Sequence, residues 1–344
     1  MWFSLRFKVK VLLVGLGRIG KLVARKMVAQ DEPRLDWVGA VEQTQDPELF
    51  SYLLNHDSTY GSLDSKFGYT LDSFVIKGQS DVLLFDDVAI AINETTPDLV
   101  IDCSGSQLSA ETLLNSQPGQ TKHHLFAQAL ETVKRANDTR VWVYGVNDSD
   151  FHNKLPRNII NPGCLNNCLI PLISCLTEKF TITKGTFVSV HSVTNTQPSL
   201  DRAQRSPRWS RASGSNLIPA PHDSMGLVNK FFPELEGRLI GRTVRAPVTH
   251  TSYVTCSFEV DNRLDESAVM DCLASTRIAS TVLGVDNEPL VSSDYVNDPR
   301  SCVIDGTSVR VLDGSTIFIS AWYNNEYAFA SRMVDIANIL SRAI

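Results

Sequence analysis

The chain has no surplus of positive charge, no long apolar run and no dense cysteine framework. Its 32 Lys and Arg stand against 38 Asp and Glu, a formal net charge of −6. Nothing in that balance draws it to nucleic acid or to an anionic membrane, although a local basic patch can still hold an anion. No stretch approaches the ~18 consecutive apolar residues of a membrane span. The opening MWFSLRFKVK is apolar and basic, but has neither a long apolar centre nor a small-residue cleavage site. Seven cysteines in 344 residues are few and irregularly spaced, and read as reduced thiols rather than a disulfide scaffold. With 19 Gly and 15 Pro, collagen-like and low-complexity chains are excluded. The expectation is a soluble, cytoplasmic protein that engages neither a membrane nor a specific nucleic acid.

Core-forming residues are plentiful, at 43% hydrophobic, and the length suits about two domains. Lys8–Val14 reads as a strand ending at Gly15, Arg18–Gln30 as a helix with apolar Ile19, Leu22, Val23 and Met27, and Leu35–Val41 as a second buried strand. Further apolar runs at Asp81–Leu84, Val88–Ile92, Asp98–Ile101 and Arg140–Tyr144, separated by helix-like stretches, imply a doubly wound parallel sheet. The rhythm changes after Asn161. Asn166–Phe180 looks helical despite Pro171, and longer alternating runs follow at Lys184–Thr194, Thr243–Val260 and Ser315–Tyr323. These predict a second, mostly antiparallel sheet with one face covered. Ser199–Ser215, rich in Arg and Ser, reads as an extended loop, and Tyr327–Ile344 as an amphipathic helix. The fold class is therefore α/β: an N-terminal Rossmann-type parallel-sheet domain plus an α+β domain with a mostly antiparallel sheet.

Three places carry chemistry. The turn VGLGRIGK sets Gly15, Gly17 and Gly20 between strand and helix, the spacing that lets a pyrophosphate approach backbone amides at a helix start. An ordinary strand–helix turn shows the same glycines, but the next strand ends at Glu42-Gln43, 22 residues beyond Gly20, where a carboxylate can accept from ribose hydroxyls. Asn161-Pro-Gly-Cys164-Leu-Asn-Asn-Cys168 places a cysteine at a helix start. Terminal amides and a nearby imidazolium would favour its thiolate, making Cys164 a candidate nucleophile and Cys168 a packed thiol. His191, in Phe187–Thr194, shares a strand face with Ser189 and is either a satisfied core group or the partner base.

Together VGLGRIGK, DPELFSYLLNHDSTYG, YGVND, NPGCLNNCLIPL, VHSVTNTQPSLD, FFPELEGRLIGRTVRAP and AWYNNEYAFASRMVD resemble the glyceraldehyde-3-phosphate dehydrogenase family, in its order and over nearly the whole chain. IDCSG, VWVYGVN, VHS and PLVSSDYVNDPRSCVIDGT are similar to its erythrose-4-phosphate dehydrogenase branch. The resemblance implies a dinucleotide-binding domain over residues 1–160, with the helix 325–344 packing back on it, and a catalytic domain over 161–324. It implies a homotetramer acting on a small phosphorylated aldehyde, with NAD, or NADP, as cofactor and no metal. Cys164 matches the acylated nucleophile and His191 the base. Gly15, Gly17, Arg18, Ile19, Gly20, Glu42, Gln43, Ser104, Gly105 and Asn325 fall at cofactor positions, Asn325 on the nicotinamide carboxamide. Thr194 and Arg245 match the site for the substrate's own phosphate, and Gly163, Leu165, Arg208, Arg211, His222 and Asp223 the rest of the substrate region.

The departures concern ligand choice. Val14 replaces the family's Asn before the first glycine, and Gln43 stands at the acidic ribose position with Glu42 one residue early, which leaves NADP open. Ala127-Gln128 stands where a cofactor-contacting hydroxyl is usual. Gly163 and Leu165 replace hydroxyl residues beside the nucleophile, Trp209 a loop arginine, and His222-Asp223 a Thr-Gly pair. A carboxylate about 5 Å from a phosphate costs roughly 3 kcal/mol at an effective dielectric of 20. Water would then be a better acyl acceptor than inorganic phosphate, activated by His191 or His222. Two other readings are a non-catalytic NAD-binding family member and a thiol hydrolase that needs no cofactor; the glycine turn and Asn325 oppose the second.

Overall fold

Runs of Val, Leu and Ile too short to cover themselves must be buried on both faces, and the first unit of the chain does this with a parallel sheet. The computed structural model describes residues 8–30, 34–64, 67–76, 81–117, 119–128, 130–152, 154–204, 206–221 and 224–344. The chain divides into two units, residues 1–163 with 330–344, and residues 164–329.

Among the described residues of the first unit nine strands form one sheet, in spatial order Thr139–Val141, Asn158–Ile160, His123–Phe126, Leu99–Asp102, Val9–Val14, Leu35–Val41, Val82–Phe85, Ser73–Val75 and Gly68–Tyr69. All neighbours are parallel except the last two pairs. Val9–Val14 comes first in sequence yet lies in the middle, so the chain winds out to one edge and then to the other. Ligands of such sheets sit beyond the carboxyl ends of the strands at this switch point. Here those ends are Val14 and its partner Asp102. Leu12, Val14 and Val100 pack with Val88, Ala91, Ile92, Ala110 and Leu113 into one core.

Two local expectations fail here. Val88–Ile92 is not a sheet run but opens the helix Val88–Thr95, because the Asp87 carboxylate accepts from the Ile90 amide at 2.9 Å and caps it. A five-residue apolar run carries too little periodicity to separate the two forms. Arg140–Tyr144 is strand only over Thr139–Val141; beyond it the Trp142 indole donates to Asp148 at 2.7 Å and stacks on Phe151.

In the second unit seven strands lie in the order Ile218–Ala220, Leu239–Arg245, Ile182–His191, Ser252–Val260, Thr316–Tyr323, Cys302–Leu312 and Leu283–Asp286. Only Ile182–His191 with Leu239–Arg245, and Leu283–Asp286 with Cys302–Leu312, are parallel. The run expected as one strand over Thr243–Val260 is two, broken where Pro247 removes a donor and Thr251 takes a φ of 38°. Ser199–Ser215 has one short helical turn among its described residues, Arg208–Ser210. The helix Cys164–Thr177 runs through Pro171. Its loss of about 3 kcal/mol at an interior proline is outweighed by burial of Leu165, Leu169, Ile170, Leu172, Ile173 and Leu176, each worth about 1.5–3 kcal/mol. The last helix, Tyr327–Ala343, belongs to the first unit from Ala330 onward. No helix among the described residues is long and apolar enough to cross a membrane.

Candidate active site

The strand Ile182–His191 alternates faces, so Ser189 and His191 both point into the unit, and the helix Cys164–Thr177 starts against them. Cys164 Sγ and His191 Nε2 are 3.3 Å apart. His191 is buried, its Nδ1 lies 2.8 Å from the Ser192 carbonyl oxygen, and the Tyr323 ring stands edge-on to it at 5.9 Å. Tyr323 is held in turn by a 2.7 Å hydrogen bond with Ser189. A proton on Nδ1 donated to the Ser192 carbonyl leaves Nε2 as an acceptor facing the thiol.

The charge state differs from the expected thiolate–imidazolium pair. Burial, and then the Arg245 guanidinium, push His191 down to about 3, so the ring is neutral. Burial pushes the Cys164 thiol up, countered in part by Arg245 and by the amides of Leu165 and Cys164. The amides act as expected, but the imidazole acts as a base in waiting rather than as a cation.

Arg245 ends the neighbouring strand in register with His191. Its Nη1 contacts His191 Nδ1 and donates to the Ser192 carbonyl at 3.0 Å, and its guanidinium lies 5.9 Å from the centre of the buried Trp209 ring. Thr194, half-buried, exchanges a 3.1 Å hydrogen bond with Thr196, and its carbonyl accepts from Gln197. Arg208 is exposed, and Arg211 is paired with Asp201 at 2.9 Å on the surface. Leu165 is buried in its helix. Gly163, exposed, ends the first unit, and a Cβ there would meet nothing within 4 Å. His222 and Asp223 lie outside the described residues.

Asn325 is buried beside Asn324, and the two do different work. Asn324 Oδ1 accepts from the amides of Glu326 and Tyr327 and so caps the last helix. Asn325 Oδ1 accepts from Ser192 Oγ at 2.7 Å, and the Ser192 amide donates to Ser252 Oγ at 3.1 Å. Ser192 is a residue that the sequence patterns did not single out, although it adjoins His191.

In the first unit the glycine turn meets the switch point. Gly15 has a φ of +86°, and a Cβ there would lie 2.6 Å from Ser104 Cα. A Cβ on Gly20 would strike the Gly15 carbonyl oxygen, whereas one on Gly17 would find nothing within 4 Å. The strand end and helix are thus held tight while the space over Gly17 stays open. The helix Arg18–Val28 has no side-chain cap at Gly17. An uncapped helix start below open space suits the pyrophosphate of a dinucleotide. Ile19 lies half-buried in its first turn.

The rim of this turn is built from carboxylates. Glu42 Oε2 accepts from the Leu16 amide and Oε1 from the Gln43 amide, both at 2.9 Å. A carboxylate has about four acceptor sites, so capacity for ribose hydroxyls remains; the Gln43 side chain is exposed. Ser104 donates to Asp102 from both its amide and its hydroxyl, at 2.9 and 2.6 Å, and Gly105 follows with a φ of +63°. Arg18 pairs with Asp57 at 2.5 Å, and Asp57 accepts from the Thr59 and Tyr60 amides. The sequence patterns do not single out Asp57 either; its signal is the Asp-Ser-Thr turn within NHDSTYG.

Two family models match the chain: "Glyceraldehyde 3-phosphate dehydrogenase, NAD binding domain" over residues 9–110, and "Glyceraldehyde 3-phosphate dehydrogenase, C-terminal domain" over 163–325. Glyceraldehyde-3-phosphate dehydrogenase 2 of Bacillus subtilis is 31% identical over 338 residues, 96% of each chain. The glyceraldehyde-3-phosphate dehydrogenase of Zymomonas mobilis is 30% identical over 345 residues, 98% of this chain and 99% of that one. That of Geobacillus stearothermophilus is 32% identical over 336 residues, 96% and 97%.

Proposed function

This chain belongs to the glyceraldehyde-3-phosphate dehydrogenase family, NAD-binding dehydrogenases, and from that premise we propose that it oxidises a phosphorylated aldehyde through a thioester on Cys164. The observation that carries the reading is the 3.3 Å approach of Cys164 Sγ to His191 Nε2. Nε2 takes the thiol proton as the sulfur adds to the aldehyde carbon. The Cys164 amide and the protonated His191 ring then stabilise the oxyanion. His191 returns the proton to give the hemithioacetal and removes it again as the carbon is oxidised. NAD, when bound, supplies the acceptor for the hydride that leaves this carbon.

Gly15, Gly17, Arg18, Ile19, Gly20, Glu42, Gln43, Ser104 and Gly105 would hold the dinucleotide, and Asn325 the nicotinamide carboxamide. Thr194 and Arg245 would hold the substrate phosphate, Arg245 through forked charge-assisted hydrogen bonds. Residues 1–160 with 325–344 would form the cofactor domain and 161–324 the catalytic domain. The outer face of the seven-stranded sheet, with Val188, Val190, Ile240 and Phe318 exposed, supports burial against a second copy in a homotetramer. Seven free cysteines support a reducing, cytoplasmic setting.

A second reading, in which water opens the thioester as in erythrose-4-phosphate dehydrogenase-like oxidation, is favoured by the residues at the positions expected to hold inorganic phosphate. Leu165 and Trp209 are buried and offer no hydroxyl or guanidinium, and Arg211 pairs with Asp201 on the surface. The test is a pre-steady-state burst with glyceraldehyde 3-phosphate and erythrose 4-phosphate, then product analysis with and without phosphate. A stoichiometric burst of NADH that Cys164→Ser abolishes supports the thioester; a variant turning over normally overturns it. Turnover that scales with phosphate and yields an acyl phosphate eliminates the hydrolytic reading.

A further inference from the structure

The helix Cys164–Thr177 carries cysteines at positions 164, 168 and 175, a spacing of four and then seven that sets them on one stripe. Only the first takes part in the reaction above. The last faces a fourth cysteine, Cys272, on the helix Glu266–Ser275. Cys272 Sγ donates to the Cys175 carbonyl at 3.3 Å, and Cys175 Sγ lies 3.9 Å from the Cys272 carbonyl. Both thiols are free.

We propose that Cys175 and Cys272 form a redox-modification site, which a hydroperoxide converts into an intrachain disulfide joining the helix that begins at Cys164 to its neighbour.

The chemistry needs one sulfur as thiolate and the other as thiol, with little movement between contact and the ~2.05 Å bond. The reciprocal sulfur–carbonyl contacts bring the two side chains to the same point of the helix seam. The neighbouring Cys272 and Thr276 side chains hold the Cys175 thiol below its ordinary range, while the neighbouring Cys175 and burial push Cys272 up. Lys179, whose Nζ donates to the Asp271 carbonyl at 3.3 Å, brings a cation to the seam. The pair is buried but shallow, since Glu178, Lys179, Asp271, Ala274 and Ser275 around it are exposed. Cys168, next on the stripe, is by contrast fully buried, and burial pushes it well up.

In the first step the Cys175 thiolate attacks a peroxide oxygen. The O–O bond breaks, Cys175 becomes a sulfenic acid, and the departing oxygen takes a proton and leaves as water or an alcohol. In the second step the Cys272 sulfur attacks the Cys175 sulfur. The S–O bond breaks, and water leaves with the Cys272 proton. Two thiols lose two electrons and the peroxide gains them.

The experiment treats the full chain with stoichiometric hydrogen peroxide, alkylates remaining thiols under denaturing conditions, and maps peptides without reduction. The expected product is a peptide pair joined through Cys175 and Cys272, reversed by dithiothreitol. Oxidation should raise the thermal midpoint by about 5 °C, a shift that Cys175→Ser and Cys272→Ala each remove. The proposal is overturned if Cys175 and Cys272 are recovered fully alkylated after peroxide, or if cross-links join only the other cysteines. Mapping the wild-type chain gives this answer even where a variant fails to fold.

Discussion

Arg245 and His191 meet at one acceptor, the Ser192 carbonyl oxygen, which lies 3.0 Å from Arg245 Nη1 and 2.8 Å from His191 Nδ1. A fixed cation beside an imidazole disfavours its protonation, and burial adds to the effect. His191 is therefore held at about 3 by burial first and Arg245 second. Replacing Arg245 by Leu removes only the second cause. The His191 midpoint, followed by NMR of the imidazole protons, should rise in Arg245→Leu yet stay below the ordinary 6.5. His124, held at about 4 in the other unit, should not move and serves as the control. An unchanged His191 midpoint would refute the electrostatic link.

Ser192 governs a second group, because its hydroxyl fixes which end of the Asn325 amide is committed to the protein. In Ser192→Ala the buried Asn325 oxygen loses its donor, at a cost of about 1–3 kcal/mol. If Asn325 holds the nicotinamide carboxamide, the amide becomes free to turn over and two ring faces can be presented. kcat/KM for NAD should fall by about tenfold, and hydride transfer from a 1-deuterated aldehyde should lose its strict preference for one face of the ring. A structural role alone lowers stability without touching that stereochemistry. Full retention of both kcat and face selection counts against the assignment.

These two relationships also mark what a sequence can and cannot disclose. The glycine turn, the helix start at Cys164 and the strand bearing His191 were legible because each rests on local spacing. The hydrogen bond between Ser192 and Asn325 joins residues 133 apart, and no periodicity encodes it. The neutral state of His191 was hidden for a similar reason, since it depends on burial and on a cation from another strand. Val88–Ile92 is ambiguous in the sequence because one capping carboxylate, Asp87, decides between helix and strand. The strands His123–Phe126 and Asn158–Ile160 leave little trace in the sequence because they are short and carry polar residues that face partners inside.

The outer face of the second sheet, where Val188, Ile240 and Phe318 are exposed, leads to a prediction about assembly. Ile240, Thr186, Ser257 and Phe318 lie side by side in register across four strands, with Val188 next along its strand. Charges introduced there face solvent in a monomer and are nearly neutral to folding, but are desolvated without partners in a packed interface. Ile240→Glu with Phe318→Lys should leave the far-ultraviolet circular dichroism intact and shift sedimentation towards smaller species. Wild-type protein that already sediments as a monomer at micromolar concentration eliminates the sheet-to-sheet contact.

His124 predicts the acid limb of stability. It is fully buried in the first unit, 2.6 Å from Thr121 Oγ1 and 3.0 Å from Asn158 Oδ1, so both ring nitrogens are satisfied in the neutral form. Burial pushes it down to about 4. The unfolded chain takes up this proton near 6.5, whereas the folded chain resists until about 4, so the unfolded state binds more protons between those values. The stabilisation is therefore complete above about pH 6.5 and is lost as pH falls towards 4. Urea unfolding at stepped pH should show a folding free energy that declines across that window, and His124→Asn should flatten the decline while lowering stability at pH 7. Equal pH slopes for the variant and the wild type would mean that His124 takes no part in it.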